Sequence, residues 1–238
     1  LFTSGGSESD NLALRGVAMA ERKARGANRI LVSSVEHPAV LATARALKDE
    51  FDYSFEKMRV DKHGLVLIDE LAEKLSEDVA IVSIIFGNNE IGSINPIREI
   101  AAICHEKGVL LHTDAVQAAA HLDLDLDLLG ADLVSIGAHK FYGPKGVGAL
   151  LKRKQINLLS QISGGKQESG LRAGTHNVPG IVGMSVALST QKEYQEQHYT
   201  EVINLRDRLI QGVLDSIKGS YLTGDPFNRL PNHASFVF

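Results

Sequence analysis

Four hydrophobic runs in this 238-residue chain are each followed at once by polar residues of the kinds that do chemistry. His37 comes after the run ending near Ser33, Asn88-Asn89-Glu90 after the run ending at Phe86, Asp114 directly after Thr113, and His139-Lys140 after Ile136. Any one of these is ordinary for a loop. Together they match one chemistry. A lysine amine holds an aldehyde cofactor as a Schiff base, and an anionic side chain pairs with a pyridinium nitrogen so that the ring acts as an electron sink. Asp114 is the candidate anion, because a carboxylate at a strand end is rigid and partly desolvated, which strengthens its pull on a cation. Such a cofactor also needs a phosphate site. Ser4-Gly5-Gly6-Ser7-Glu8 offers small residues leading into a helix from near Ser7, where free N–H groups and the helix dipole attract an anion. Taken alone, that stretch reads equally as a capped helix with Ser7 or Ser9 near the N-cap.

Two lysines compete for the aldehyde. Lys140 follows His139 directly and is nearer its strand, whereas Lys145 sits in a Gly143-Pro144-Lys145-Gly146 turn of the kind that leaves a lysine solvated. Lys140 is therefore preferred. Neither glycine stretch is a nucleotide motif: Gly5-Gly6-Ser7-Glu8-Ser9 lacks the G-x-G-x-x-G spacing, and no Gly-Lys-Ser/Thr follows Gly143. Asp123, Asp125 and Asp127 alternate with leucines, which makes a half-exposed segment rather than a metal site, and no metal is expected. His63, His112, His121 and His198 show no ligand spacing.

The elements that must position these residues alternate. Strands are expected over residues 29–33, 79–86, 109–113, 132–136 and 147–151, several apolar throughout, as in a parallel sheet covered on both faces by helices. A helix is expected over residues 96–107, with Asn95 as cap, Pro96 in the first turn and Gly108 at the exit. Leu71 and Leu75 mark a second helix, and Leu12, Leu14 and Val17 a third. The fold class is α/β, with ligands expected at the carboxyl ends of the strands. Helical spacing then runs through much of residues 181–217, broken once, with a domain boundary near residues 190–200: a large domain over 1–195, then a linking helix and the start of a smaller domain over 196–238.

Composition excludes several alternatives. The balance is that of a soluble globular chain, with 44% hydrophobic and 23% charged residues. A net charge of −4 with 5% aromatics argues against nucleic acid as a partner. Apolar runs such as residues 79–86 are too short to span a membrane. One cysteine cannot form an internal disulfide, which makes a reducing, cytoplasmic location the default. Both ends are expected to be cut, the chain opening inside an apolar-to-glycine transition and stopping in mid-strand.

The sequence resembles the class V aminotransferase superfamily of fold-type I pyridoxal-phosphate (PLP) enzymes, and within it the cysteine desulfurases of the NifS/IscS type. The resemblance is carried, in family order, by Thr3-Ser4-Gly5-Gly6-Ser7-Glu8-Ser9-Asp10-Asn11, Glu36-His37, Asn88-Asn89-Glu90-Ile91-Gly92, Asp114-Ala115-Val116-Gln117, Ala138-His139-Lys140-Phe141-Tyr142-Gly143-Pro144-Lys145-Gly146 and Arg172-Ala173-Gly174-Thr175. It implies a PLP-dependent transferase large domain. Lys140 would hold the aldehyde, Asp114 would pair with the ring nitrogen, and His37 would stack on the ring. Gln117 would bond the ring hydroxyl, and Asn89 would lie near the ring and the substrate carboxylate. Gly6, Ser7 and His139 would bind phosphate, and Thr175 would reach the phosphate of a neighbouring protomer in a homodimer. Arg172 would position the Thr175 segment or serve as an ordinary surface residue. One position departs from the pattern: Gly137 stands where the family often has serine, so one phosphate contact is missing unless Ser135 or a backbone amide substitutes, and weaker but not absent PLP binding is expected.

The implied reaction takes L-cysteine to L-alanine and passes sulfur to an enzyme cysteine, for iron–sulfur cluster scaffolds or other sulfur acceptors. Cys104 shares an apolar helix face with Ile97 and Ile100, so it reads as a core residue. The acceptor thiol and a substrate-carboxylate arginine are expected beyond Phe238, and the 238 residues alone are expected to transfer no sulfur. The alternatives are another class V enzyme, a selenocysteine lyase or aminotransferase, and a non-catalytic scaffold.

Overall fold

The computed structural model describes residues 1–238, with the side chain of Glu196 left aside. A seven-stranded sheet runs in the order β1-β7-β6-β5-β4-β2-β3. Its strands are β1 (Phe2–Thr3), β2 (Arg29–Ser33), β3 (Ser54–Met58), β4 (Val79–Ser83), β5 (Leu111–Asp114), β6 (Leu133–Gly137) and β7 (Gly148–Lys152). The five from β3 to β6 pair in parallel, and β7 and β1 close one edge antiparallel. β4, β5 and β6 are buried at every position; β4 and β6 are accordingly apolar or small throughout, whereas β5 buries His112, Thr113 and Asp114. Going from β2, the chain crosses α2 (Pro38–Phe51) outward to β3; going from β4, it crosses α4 (Ile97–Glu106) the other way to β5. The sheet therefore has its topological switch point between β2 and β4, where ligands bind in open α/β sheets.

Two cores flank the sheet. On one face α1 (Gly6–Arg25) buries Leu14, Val17 and Ala18 beside Val40 and Leu47 of α2. On the other, Leu71 of α3 (Ile68–Lys74) packs with Ile97, Ile100 and Cys104 of α4 and Met184 of the long last helix. Phe141, just after Lys140, is fully buried in this second core. Phe141→Ala is expected to cost about 3–5 kcal/mol in urea unfolding, with a loop that no longer holds its neighbour in place.

Several expectations need correction. Asn95 does not cap α4. Pro96 takes that place with no side-chain cap, while the Asn95 amide donates to the Ile85 carbonyl and its oxygen accepts from Val66 N–H, tying three segments together. The run 79–86 is strand only to Ser83, although Ile84 and Phe86 still donate to the carbonyls of His112 and Asp114. The helical pattern after Pro179 is not broken: α6 (Val178–Ser216) is one helix of 39 residues, started by the Asn177 side chain accepting from Gly180 N–H. Residues 190–200 lie in its middle. α5 (Leu126–Leu129) starts at Asp125, whose carboxylate caps it; Asp123 accepts from Asp125 N–H and Asp127 pairs with Arg153, which accounts for the alternating aspartates. A short ladder of β8 (Tyr221–Leu222) and β9 (Phe236–Val237) follows α6. No helix among the described residues is long and apolar enough to cross a membrane.

Candidate active site

At the carboxyl ends of β2, β4, β5 and β6 lies a cavity of about 470 Å³. Gly6, Ser7, His37, Asn89, Asp114, Gln117, His139 and Lys140 all line it. Thr175 does not; it is exposed on the loop before α6.

Each residue arrives by a local rule. His37 is the N-cap of α2, and its Nδ1 accepts from Ala39 N–H at 3.1 Å. That bond sets the tautomer: the proton of the neutral ring is on Nε2. Asp10, His37 and Asp114 bring donor atoms within 4.8 Å of one another, but a protonated Nε2 has no lone pair to give a metal. Asp114 ends β5, and its Oδ1 accepts from Val116 N–H at 2.8 Å. Burial pushes its carboxyl above the ordinary range, opposed by the Val116 N–H and by the nearby His37 and Lys140. Lys140 projects from a single turn of 3-10 helix, Ala138–Lys140, that continues from β6. Lys145 also lines the cavity, but Lys140 is the lysine whose charge reaches Asp114.

The anion cradle is the start of α1. Gly5 is the N-cap, so neither Ser7 nor Ser9 is; Ser9 Oγ is buried, bonded to Thr3 Oγ1 and the Gly5 carbonyl. The N–H groups of Gly6 and Ser7 have no intrahelical acceptor and face the cavity. A Cβ at Gly6 would lie 2.4 Å from Val116 Cγ2, so the close approach requires glycine there. Glu8 in the same turn would repel an anion, but Arg172 grips it with two bonds, at 2.7 and 3.0 Å. Although burial alone would raise the Glu8 carboxyl, the bonds from Arg172 and Ser4 hold it below its ordinary value. Arg172 is thus not an idle surface residue: it neutralises the cradle's one anion and pins the loop before α6 to α1.

Ser135 cannot replace the serine missing at Gly137. It is fully buried under the cavity, with Oγ 2.9 Å from His112 Nε2. A Cβ at Gly137 would stand 3.2 Å from Gly6 N, so a serine there would reach the cradle directly.

Other contributors carry no motif of their own. Asn88 accepts from Glu90 and Ile91 N–H and donates to the Val35 carbonyl, shaping the turn that presents Asn89. From behind, His233 Nε2 donates to the Asn89 carbonyl at 3.2 Å, and buried Arg229 reaches the Ile91 carbonyl. Contacts across some 140 residues leave no local pattern to find. Cys104 is fully buried in the α4 core, and burial, with Asp132 nearby, pushes its thiol up to about 12.

Known proteins are similar to this chain over its whole length. The family model of class-V aminotransferases matches residues 1–238. A cysteine desulfurase IscS of Clostridium botulinum is 44% identical over 239 residues, and cysteine desulfurase NifS of Azotobacter vinelandii 41% identical over 240. Each match covers the whole chain but only 59% and 58% of the relative, so the chain spans about three-fifths of their length. A solved NifS-like protein superposes with a TM-score of 0.93 at 37% identity, over 100% of this chain and 64% of that one. DndA from Streptomyces lividans superposes with a TM-score of 0.88 at 32% identity, over 97% of this chain and 65% of its own.

Proposed function

The chain belongs to the class V aminotransferase family, and on that footing we propose that it is the PLP-binding domain of a cysteine desulfurase, followed by the start of a smaller domain after about residue 195. The observation that carries this is the convergence of an amine (Lys140), a buried carboxylate (Asp114), an imidazole (His37) and an unpaired helix N-terminus on one cavity. The fit is supported by a buried polar atom in the cavity wall that finds no partner in the protein, Asp10 Oδ1.

When bound, PLP supplies an electron sink for breaking bonds at the substrate α-carbon. The chain's own residues do the rest. Lys140 anchors the aldehyde and is the amine placed to carry a proton to and from the substrate carbon. Asp114, rigid at its strand end, holds the proton on the ring nitrogen. His37 stacks on the ring, with its orientation set by Ala39 N–H. Gln117 faces the ring hydroxyl, Asn89 the ring and the substrate carboxylate. Gly6 and Ser7 N–H groups and His139 hold phosphate, with Thr175 of a second copy completing the site in a homodimer. L-cysteine is the substrate and L-alanine the product. The sulfur goes to a mobile thiol outside these 238 residues, since Cys104 is buried and un-ionised, and from there to an iron–sulfur scaffold or thiolation partner.

The test is alanine formation from L-cysteine by a longer protein that contains this chain, beside the 238 residues alone. Alanine and persulfide from the longer protein only, lost in Lys140→Ala, support the reading. Activity with selenocysteine but not cysteine, or transamination, would move it to another branch of the family. A second expected result concerns Gly137. Gly137→Ser adds a hydroxyl at the cradle and tightens PLP binding about tenfold, the worth of one charge-assisted hydrogen bond. Weaker binding, measured by fluorescence titration, would mean that the added Cβ displaces Gly6 instead.

A further inference from the structure

Beneath the cavity lies a carboxyl for which the proposed function has no use. Asp10 projects from α1 into the cavity wall and is 1% exposed. Its Oδ1 is buried without a hydrogen-bond partner. Among the described residues no lysine or arginine pairs with it. From β5 come Asp114, with donor atoms within 4.8 Å, and His112, whose Nε2 is 3.6 Å from Asp10 Oδ1. His112 is fully buried, its two nitrogens taken by the hydroxyls of Ser83 at 2.8 Å and Ser135 at 2.9 Å, so it is neutral. From β6 comes Ser135, whose hydroxyl is 2.9 Å from His112 Nε2 and favours the ionised form of Asp10. From the turn after β2 come His37 and a further carboxyl, Glu36. Lys140 acts on Asp114.

Two buried carboxyls this close, neither in a salt bridge with a lysine or arginine, oppose each other's ionisation, so that one keeps its proton. The two are not equivalent. Asp114 has a backbone N–H, His37 and Lys140 to favour its charge, whereas Asp10 has one serine hydroxyl and two acidic neighbours. We propose that Asp10 is a positioning residue of the cofactor site: it keeps the proton of the Asp10–Asp114 pair, leaving Asp114 as the single anion for the ring nitrogen. A neutral Asp10 lets a second carboxyl sit against Asp114 without placing two negative charges where the ring brings one positive charge. The inference rests on the PLP reading of the cavity.

Carbon-13 NMR of aspartate-labelled chain reads the two carboxyls directly, with resonances assigned from Asp10→Asn and Asp114→Asn. The expected result at neutral pH, with PLP bound, is Asp10 at the protonated position and Asp114 at the ionised one. PLP titrations supply a readout that a purely structural role would not move. Asp10→Asn, which copies the neutral acid, keeps the affinity within about threefold, whereas Asp10→Leu, of similar volume but without polar atoms, weakens it about tenfold or more. Ionised Asp10 at neutral pH overturns the proposal. So does Asp10→Asn losing PLP as fully as Asp10→Leu. If no form of the chain takes up PLP, the functional reading fails instead, and the proton on Asp10 is still read from the cofactor-free spectrum.

Discussion

Borohydride reduction of the chain mixed with PLP will fix one cofactor per chain, on Lys140, and Lys140→Ala will abolish the adduct. Lys140 stands on the cavity, exposed, in the turn that continues from β6, with Asp114 within its electrostatic reach and the α1 cradle on the same cavity. Loss of the covalent link should weaken retention of PLP by about 100-fold, or roughly 3 kcal/mol, leaving the phosphate and ring contacts to hold what remains. Lys145→Ala is the control. It shares the cavity wall, and it should change the phosphate end modestly while leaving the adduct intact. Peptide mass mapping decides between the two lysines. An adduct on Lys145, or none in the wild-type chain, would refute the assignment.

The largest stability effect should come from pH, through two buried groups shifted in opposite directions. Glu36 is raised from its ordinary 4.5 to about 8 by burial; its Oε1 accepts from Ser33 Oγ and Ile85 N–H, but its Oε2 has no partner. Between those two pH values the folded chain holds a proton that the unfolded chain has released, so stability falls as pH rises, by about 1.4 kcal/mol per pH unit. His112 is lowered from 6.5 to about 3 by burial. In that window the unfolded chain binds a proton that the folded chain refuses, so stability rises with pH at about the same slope. From pH 4.5 to 6.5 the two slopes cancel. The cofactor-free chain should thus be most stable over that mildly acidic plateau, losing stability on both sides. Asp10 and Asp114, both raised by burial, act in the same direction as Glu36 from the ordinary carboxylate range upward, and so tilt the plateau toward its acid end.

Glu36→Gln, which copies the protonated acid, should flatten that alkaline limb and gain on the order of 4 kcal/mol at pH 8 relative to wild type. Urea midpoints measured from pH 4 to 9 give the profile. A wild-type stability that climbs steadily to pH 8, or a Glu36→Gln profile parallel to it, would show that Glu36 ionises in the folded chain. The expected cost of these buried acids is a feature of functional sites, which keep charges where stability alone would not.

The architecture was readable where burial dictates composition. β4 and β6, and most of β2, are apolar or small on both faces because helices cover both faces, and that leaves nearly uninterrupted hydrophobic runs. β3 leaves no hydrophobic run because it is the edge strand, half exposed, with Ser54, Glu56 and Lys57 among its five residues. α2 is marked only by the helical spacing of Val40, Thr43, Ala44 and Leu47, and its cap, His37, has the pattern of a strand-end residue as much as of a helix start. The unbroken α6 was missed because its exposed valines, leucines and tyrosines blur any single apolar face.

For the site, the chain alone determined which residue types follow which strands, and the rule that ligands gather at carboxyl ends turned that order into one location. His37, Asn89, Asp114, Gln117, His139 and Lys140 do meet there. Only the tertiary structure decided the state of those residues. That Lys140 rather than Lys145 addresses Asp114, that Arg172 cancels Glu8, that Ser135 is spent on His112 and unable to serve the cradle, and that Asp10 lies against Asp114 with its Oδ1 unpartnered all depend on contacts between distant segments. The reason is physical. Side-chain type is local, but charge state and hydrogen bonding are set by burial and by neighbours within a few ångströms, and those neighbours come from other strands and helices.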